Sequence, residues 1–471
     1  MESKDSAAHV DDHYDAWFVK GLQEFVRVPN LTMMADKDFA TNGLIQQAME
    51  VVDSYINKLE VSGITRHVFH PEGSNPLVVY VVEGSEGATK NVMFYGHLDK
   101  QPWGAGWEEG LAPNDPQIRG DYMFGRGSAD DGYSAFATML SVKSVQLAGG
   151  KLPRIVLVLE TEEESGSPNL IPLLNLAEGV IGKPDACFCM DSGALDYDQL
   201  WLTSSLRGVC NMDVTIEGGK VGYHSGETGG IIPETFRVAR ALLNRLDNCD
   251  TGRVTEELQV AVPDFKQQEA ENLAKMFGDK LFTKYDLHEG VQCVEQDNIP
   301  EMYLNNVWRP NLSVTGAEGL PPIAAAGNVL RPKTTLRCSM RLCPNTDPSD
   351  AKKVMTEKLT SDVPYNAKVT IDNCHAGPGW CQRQLEDWLH NSLNEAGHKF
   401  FNGKDYGSYG EGGSIPFLKE LQNKYPDTQI VAMGIVGPGA NIHGPNENIN
   451  LACARKIVKT LAHVINTAGN L

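Results

Sequence analysis

The stretch NVMFYGHLDK, residues 91–100, decides how the rest of the chain is read. Its apolar run, residues 92–95, ends at Gly96 and delivers His97 and Asp99 to the open end of a buried strand. His97 offers an imidazole nitrogen to a metal ion. Asp99, two residues on, is placed to accept a hydrogen bond from the other ring nitrogen and so fix the tautomer.

Outward from this strand, apolar runs alternate with helical patterns. Residues 154–160, RIVLVLE, are almost continuously apolar, as a strand covered on both faces requires, and residues 185–190 form another such run. Shorter strand-like runs lie at residues 65–69 and 77–82, and residues 118–127 read as a hairpin. Helices are expected over residues 12–28, with Trp17, Leu22 and Phe25 on one face, over 43–59, and over the small-residue segment 132–145. The alternation implies an α/β domain, a central, mostly parallel sheet flanked by helices, with ligands at the carboxyl ends of its strands. Near Leu206-Arg207-Gly208 the pattern changes. Residues 210–217, 334–342 and 367–372 alternate as half-exposed strands do, separated by helical segments such as 233–246 and 265–276. This reads as an inserted α+β domain. The α/β pattern returns at 384–397, 429–433 and 449–468. The expected organisation is a catalytic domain built from residues 1–208 and 382–471, interrupted by an insertion at 209–381.

The chain has 471 residues and a net charge of −20, from 61 acidic against 41 basic side chains. That balance argues against non-specific binding to nucleic acid and to anionic membrane surfaces. Ten cysteines are scattered with no Cys-x-x-Cys pair, and several sit in apolar runs, the pattern of reduced, buried thiols. The start, MESKDSAAHVDDHYDAW, has no apolar signal core, and no run approaches the ~18 apolar residues of a membrane span. A cytoplasmic location is the expectation.

Five stretches follow apolar runs and end in metal-ligand side chains: YGHLD with His97, GRGSADDG with Asp130 and Asp131, LETEEESGS with Glu162, Glu163 and Glu164, CFCMDSG with Asp191, and IVGPGANIHGPNE with His443. Taken singly each has another reading. The aspartate pair could cap the next helix, the glutamates could be a solvated charge run, and His443 could be a turn residue. Taken together, two histidines and three carboxylates form a nitrogen and oxygen donor set suited to zinc, manganese or cobalt. Five protein ligands exceed the three of one open zinc site and suit two ions sharing a carboxylate, with a water between them. A spare glutamate beside a ligand supplies the general base.

The motifs GHLD, GRGSADDG, EEESGS, CMD followed by LRG, HSG, EGGSIP and NIHGPNE occur in this order over nearly the whole chain. As a set they resemble the dinuclear metallopeptidase and amidohydrolase family of cytosolic nonspecific dipeptidase, carnosinase and acetylornithine deacetylase. RPNLSVTGAEG, residues 309–319, is most similar to the dipeptidase branch. The resemblance implies two divalent metal ions per subunit, zinc or manganese. Asp130 would bridge them, His97 and Asp191 would complete one site, and Glu164 and His443 the other. Glu163 would be the general base, Asp99 would orient His97, and the Asp130–Asp131 peptide would be cis. The insertion would be the family's lid and homodimer contact, with His224 polarising the scissile carbonyl in the partner's active site. Arg341, Asn328, the loop of Gly412, Gly413 and Ser414, and His375 would meet the substrate, with Arg341 and the loop gripping its carboxylate.

The implied reaction is metal-dependent hydrolysis of a dipeptide or small peptide with a free C-terminal carboxylate. The alternative is an N-acyl amino-acid deacylase of the acetylornithine or succinyl-diaminopimelate type. It stays open because the departures from the dipeptidase pattern fall on substrate recognition. Gly132 stands where Lys is usual, Tyr409-Gly410 where Thr-Arg is common, and NVLRP and ETGGIIPETF also differ.

Overall fold

The computed structural model describes residues 5–471 except 284, 286 and 414. In chain order its strands are β1 Ile64–Phe69, β2 Leu77–Val82, β3 Asn91–His97, β4 Gln117–Arg119, β5 Tyr122–Phe124, β6 Arg154–Glu160, β7 Ala186–Cys189, β8 Trp201–Leu206 and β9 Gly208–Glu217. They continue with β10 Tyr223–His224, β11 Asn311–Glu318, β12 Val329–Leu330, β13 Lys333–Leu342, β14 Lys368–Gly377, β15 Trp380–Cys381, β16 Gly407–Glu411, β17 Gln429–Ala432 and β18 Asn448–Asn450. The chain forms two compact units. The first runs to Thr203 and resumes at Gln382–Ser408 and Glu420–Leu471; the second is Ser204–Cys381 with Tyr409–Lys419. The last segment lies in the part of the sequence expected to belong to the α/β domain, yet it packs with the insertion.

The first unit is organised on a sheet of order β1-β2-β6-β3-β7-β17-β8. Its centre, β6-β3-β7-β17, is parallel, and β1, β2 and β8 join antiparallel. β2 and β7 are buried at every residue, β3 and β6 at all but the first, so no polar alternation appears in their sequences. The helix Tyr133–Leu147 is buried almost all round, between the sheet and the helix Leu451–Gly469. Its alanines and serines permit that close approach, and the Ser141 hydroxyl donates to the carbonyls of Ala137 and Val458 at 2.7 and 2.9 Å. The N-terminal helix begins at Ser6, before the expected start at 12, where the Asp5 carboxylate accepts the Ala8 N–H. Only Val10 of its first eight residues is buried, so apolar periodicity gave no sign of this turn.

The second unit is a four-stranded antiparallel sheet of order β11-β13-β9-β14. Cys210, Met212, Val214 and Ile216 of β9 and Leu336, Cys338, Met340 and Leu342 of β13 point to one face. The helices Thr235–Leu243 and Pro348–Thr360 cover it. β11 was not expected as a strand. Its residues from Ser313 on are exposed, so NLSVTGAE carries no apolar alternation. All ten cysteines are free thiols, and six are buried. Among the described residues no helix is long and apolar enough to cross a membrane.

Candidate metal centre

Parallel strands share a direction, so the residues that follow them gather at one edge of the first unit's sheet. His97 is the last residue of β3. Glu163 and Glu164 lie in a short 3-10 turn just after β6, Asp191 two residues after β7, and His443 in the loop after β17. Asp130 comes from the loop between β5 and the helix Tyr133–Leu147, and the Asp130–Asp131 peptide is cis. Gly96 makes this approach feasible. A Cβ there would lie 2.1 Å from the Ser134 hydroxyl and 2.5 Å from an Asp131 carboxylate oxygen.

Asp130 is the centre of the cluster. One carboxylate oxygen lies 3.0 Å from His97 Nε2, and the other 2.9 Å from His443 Nε2. Asp191 is 3.9 Å from His97 Nε2, Glu163 4.0 Å from the same nitrogen, and Glu164 3.5 Å from His443 Nε2. Two sets of donor atoms result, His97–Asp130–Asp191 and Asp130–Glu164–His443, each within 4.8 Å of one another and joined at Asp130.

So many carboxylates at close range repel one another. Burial, then Asp191, holds Glu163 well above the usual carboxylate range; burial, then Asp130, pushes Glu164 up to about 8. Burial opposes the charged form of His97, but the hydrogen bonds to Asp130 and Asp99 hold its pKa well above the ordinary histidine value. The hydrogen bond to Asp130 lifts His443 to about 8. Glu163, Glu164, His97 and His443 all hold their protons more tightly than usual, the electrostatic setting that divalent ions relieve. Its imidazole and carboxylate donors fit zinc or manganese.

The side chains behind this cluster sort the acids. Asp99 does more than the sequence suggests. His97 Nδ1 donates to the Asp99 main-chain carbonyl at 3.0 Å, with the carboxylate farther away at 3.5 Å. That carboxylate instead accepts the main-chain N–H groups of Glu163 and Glu164, both at 3.1 Å. One residue therefore fixes the histidine tautomer through its backbone and the acid pair through its side chain. Glu162 is tied to Asn75 and Asn169. Asp131 accepts the His97 main-chain N–H at 3.3 Å and stays out of both donor sets.

Three supports had no role assigned from the sequence, although Lys100, Arg126 and Glu447 lie within its quoted motifs. Gln101 donates its main-chain N–H and its side-chain amide to the two oxygens of Glu164, at 3.2 and 2.6 Å. Glu447 accepts Gly127 N–H at 2.9 Å and Ala129 and Asp130 N–H at 3.4 Å, and pairs with buried Arg126 at 2.5 Å. Arg126 also donates to the carbonyls of Pro102 and Gly444, so the pair ties the Asp130 loop to the His443 loop. Buried Lys100 donates to the carbonyls of Phe25, Val26 and Val28, closing the end of the helix Lys20–Arg27.

The remaining candidates lie in the second unit. His224 is exposed on the short β10–β12 ladder, and its Nδ1 accepts the Gly226 N–H at 3.1 Å. Asn328 sits beside it, its carbonyl accepting the Ser225 N–H at 2.9 Å. Arg341 is half-buried on β13, opposite Asn311 and Val209. His375 is exposed on β14 at a break in register. Gly412 packs close to Asn306 and Arg207, Gly413 is exposed, and Ser414 lies outside the described residues. Arg207 donates to the Gly412 carbonyl at 3.1 Å and to the Asn311 side chain at 2.7 Å. Burial and the neighbouring charge of Arg341 push Arg207 down to about 10.

Residues 93–467 match the model of peptidase family M20/M25/M40. The chain is 26% identical over 468 residues to the Cys-Gly metallodipeptidase dug1 of Schizosaccharomyces pombe, covering 95% of each. It is 27% identical over 379 residues to the Beta-Ala-His dipeptidase of Mus musculus, covering 74% of this chain and 72% of that one. The fold is similar to that of the di-peptidase Dug1p from Saccharomyces cerevisiae, with a TM-score of 0.72 at 20% identity, covering 99% of this chain and 98% of that one. With the family model spanning most of the chain and the donor sets at the sheet edge, the chain belongs to peptidase family M20/M25/M40 and is a metallopeptidase.

Proposed function

We propose that this protein hydrolyses the amide bond of dipeptides that end in a free carboxylate. The observation that carries the reading is the pair of donor sets joined at Asp130. The names of its relatives, Cys-Gly and Beta-Ala-His dipeptidases, point to the same substrate class. His97 and Asp191 would hold one ion with Asp130, and Glu164 and His443 the other. Zinc or manganese bound there would supply Lewis-acid polarisation of a carbonyl and a nucleophilic water at neutral pH.

The protein's own groups do the rest. Glu163, 4.0 Å from His97 Nε2, takes the proton of the attacking water and returns it to the leaving amine. Asp99 holds Glu163 and Glu164 by their main-chain N–H groups, so base and ligand move together. The second unit acts as a lid in a cytoplasmic homodimer. His224 from the partner subunit donates a hydrogen bond to the carbonyl oxygen as negative charge develops there. Arg341, with the N–H groups of residues 412 and 413, grips the substrate carboxylate, and Asn328 and His375 contact the substrate.

Metal analysis of the purified protein followed by a substrate panel tests the reading. Cys-Gly and Ala-Leu should be hydrolysed with added zinc or manganese, and N-acetylated amino acids should not. Cleavage of the N-acetylated compounds alone would establish the deacylase reading. No cleavage of any amide with either metal would overturn both.

A further inference from the structure

The segment of residues 409–413, the end of β16 and the two residues after it, departs from the dipeptidase pattern at Tyr409-Gly410, and the second unit holds a buried polar network directly behind that departure. Lys266 is fully buried on the helix Asp264–Phe277. Its ammonium donates to the Ser204 hydroxyl at 2.6 Å and to a Glu269 carboxylate oxygen at 2.7 Å. The same oxygen accepts the Tyr303 hydroxyl at 2.9 Å, from the neighbouring helix Ile299–Val307. That hydroxyl in turn accepts the main-chain N–H of Gly410 at 2.5 Å. Burial, then the charge of Glu269, holds the Tyr303 phenol well above its usual pKa, so it keeps the proton it donates.

The space around Gly410 is also closed. A Cβ there would come within 2.7 Å of the Ser205 hydroxyl and 2.8 Å of Val307 Cβ. No side chain fits at 410, and the main chain takes its place by bonding directly to Tyr303. Two residues further on, Arg207 holds the Gly412 carbonyl. The segment is therefore held from the side at two points, by a phenol at Gly410 within β16 and a guanidinium at Gly412 just after it. An ion pair taken out of water gives little net stability and is costly to break, so what it contributes here is geometry. A chain of hydrogen bonds in a low-dielectric interior holds its members more firmly than isolated bonds would.

We propose that Lys266, Glu269 and Tyr303 are positioning residues for recognition of the substrate carboxylate, acting through Gly410 on the N–H groups of residues 412 and 413. This rests on the dipeptidase reading above, in which those N–H groups meet the carboxylate. The network sets how tightly a free C-terminus is held and leaves the metal centre and Glu163 untouched. A merely structural network would lower stability without distinguishing a carboxylate from an amide.

The test uses the full-length, metal-loaded enzyme with Ala-Leu as substrate and the product leucine, or leucinamide, as inhibitor. In Tyr303→Phe the ring stays and the Gly410 N–H loses its acceptor. KM for Ala-Leu should rise about tenfold with kcat within about twofold. The inhibition constant of leucine should rise by a similar factor, and that of leucinamide should stay unchanged. Glu269→Gln, of the same shape, should shift the same two quantities in the same direction, which guards against a folding defect in either variant. Unchanged KM and leucine inhibition in both variants, or equal weakening for leucine and leucinamide, would overturn the proposal. If the unmodified enzyme cleaves no dipeptide, the dipeptidase reading fails, and this inference with it; activity in the unmodified enzyme without the KM shift defeats the inference alone.

Discussion

The candidate metal centre and the proposed recognition residues are built in different ways. In the first unit His97, Asp130 and Asp99 are buried, and neighbouring backbone or side chains fix the atoms that would act. In the second unit His224 is exposed on a two-residue strand, with only its own turn to hold its ring among the described residues, and Gly413 and His375 are exposed as well. The donor sets sit where parallel strands converge, and of the five proposed ligands only His443 is exposed. Apart from Arg341 on the inner strand β13, the proposed recognition residues sit on loops and edges with fewer constraints, where substitution would change preference without dismantling the fold.

That contrast predicts how variants separate. The largest effect should come from Glu163→Gln, which keeps the shape and removes the base: kcat should fall about 1,000-fold with metal content unchanged. A fall of less than tenfold would mean that another group takes the proton. His224→Ala should come next, with kcat falling about 100-fold, KM nearly constant and metal content intact. Mixing this variant with a Glu163→Gln chain should recover part of the activity if the histidine serves the partner subunit; no recovery in verified mixed dimers would place its action within one chain. Arg341→Lys keeps the charge and loses the fork, so KM should rise about thirtyfold with kcat little changed. Gln101→Ala should have the smallest effect. Glu164 loses its amide donor, and affinity for one of two metal ions should fall about tenfold, read by titration with a metal indicator. Equal weakening of both ions would break the link between Gln101 and Glu164 alone.

Much of the candidate metal centre could be read from the chain because apolar runs and ligand types coincide. RIVLVLE and VMFY are strands by composition, and the acids and histidines after such runs must meet at one edge once the strands are parallel. Four features were hidden for physical reasons. Asp99 directs its carboxylate to the Glu163 and Glu164 main chain, a contact between residues far apart in sequence. Arg126 and Glu447 are 321 positions apart, and nothing local marks either as a partner. β11 has no buried face, so no alternation writes it into the sequence, and Tyr409–Lys419 joins the second unit through contacts such as Tyr303 to Gly410. Local patterns report which face of an element is buried; they do not report which distant group satisfies a polar atom.

The central claim is that two ions sharing Asp130 are needed for dipeptide hydrolysis. The most direct measurement strips the protein with a chelator and adds zinc or manganese back while following both bound metal and Ala-Leu cleavage. The account predicts no activity in the stripped protein, with binding and full activity both saturating at two ions per chain. Hydrolysis that persists in the verified metal-free protein, or full activity and saturation at one ion per chain, would contradict it.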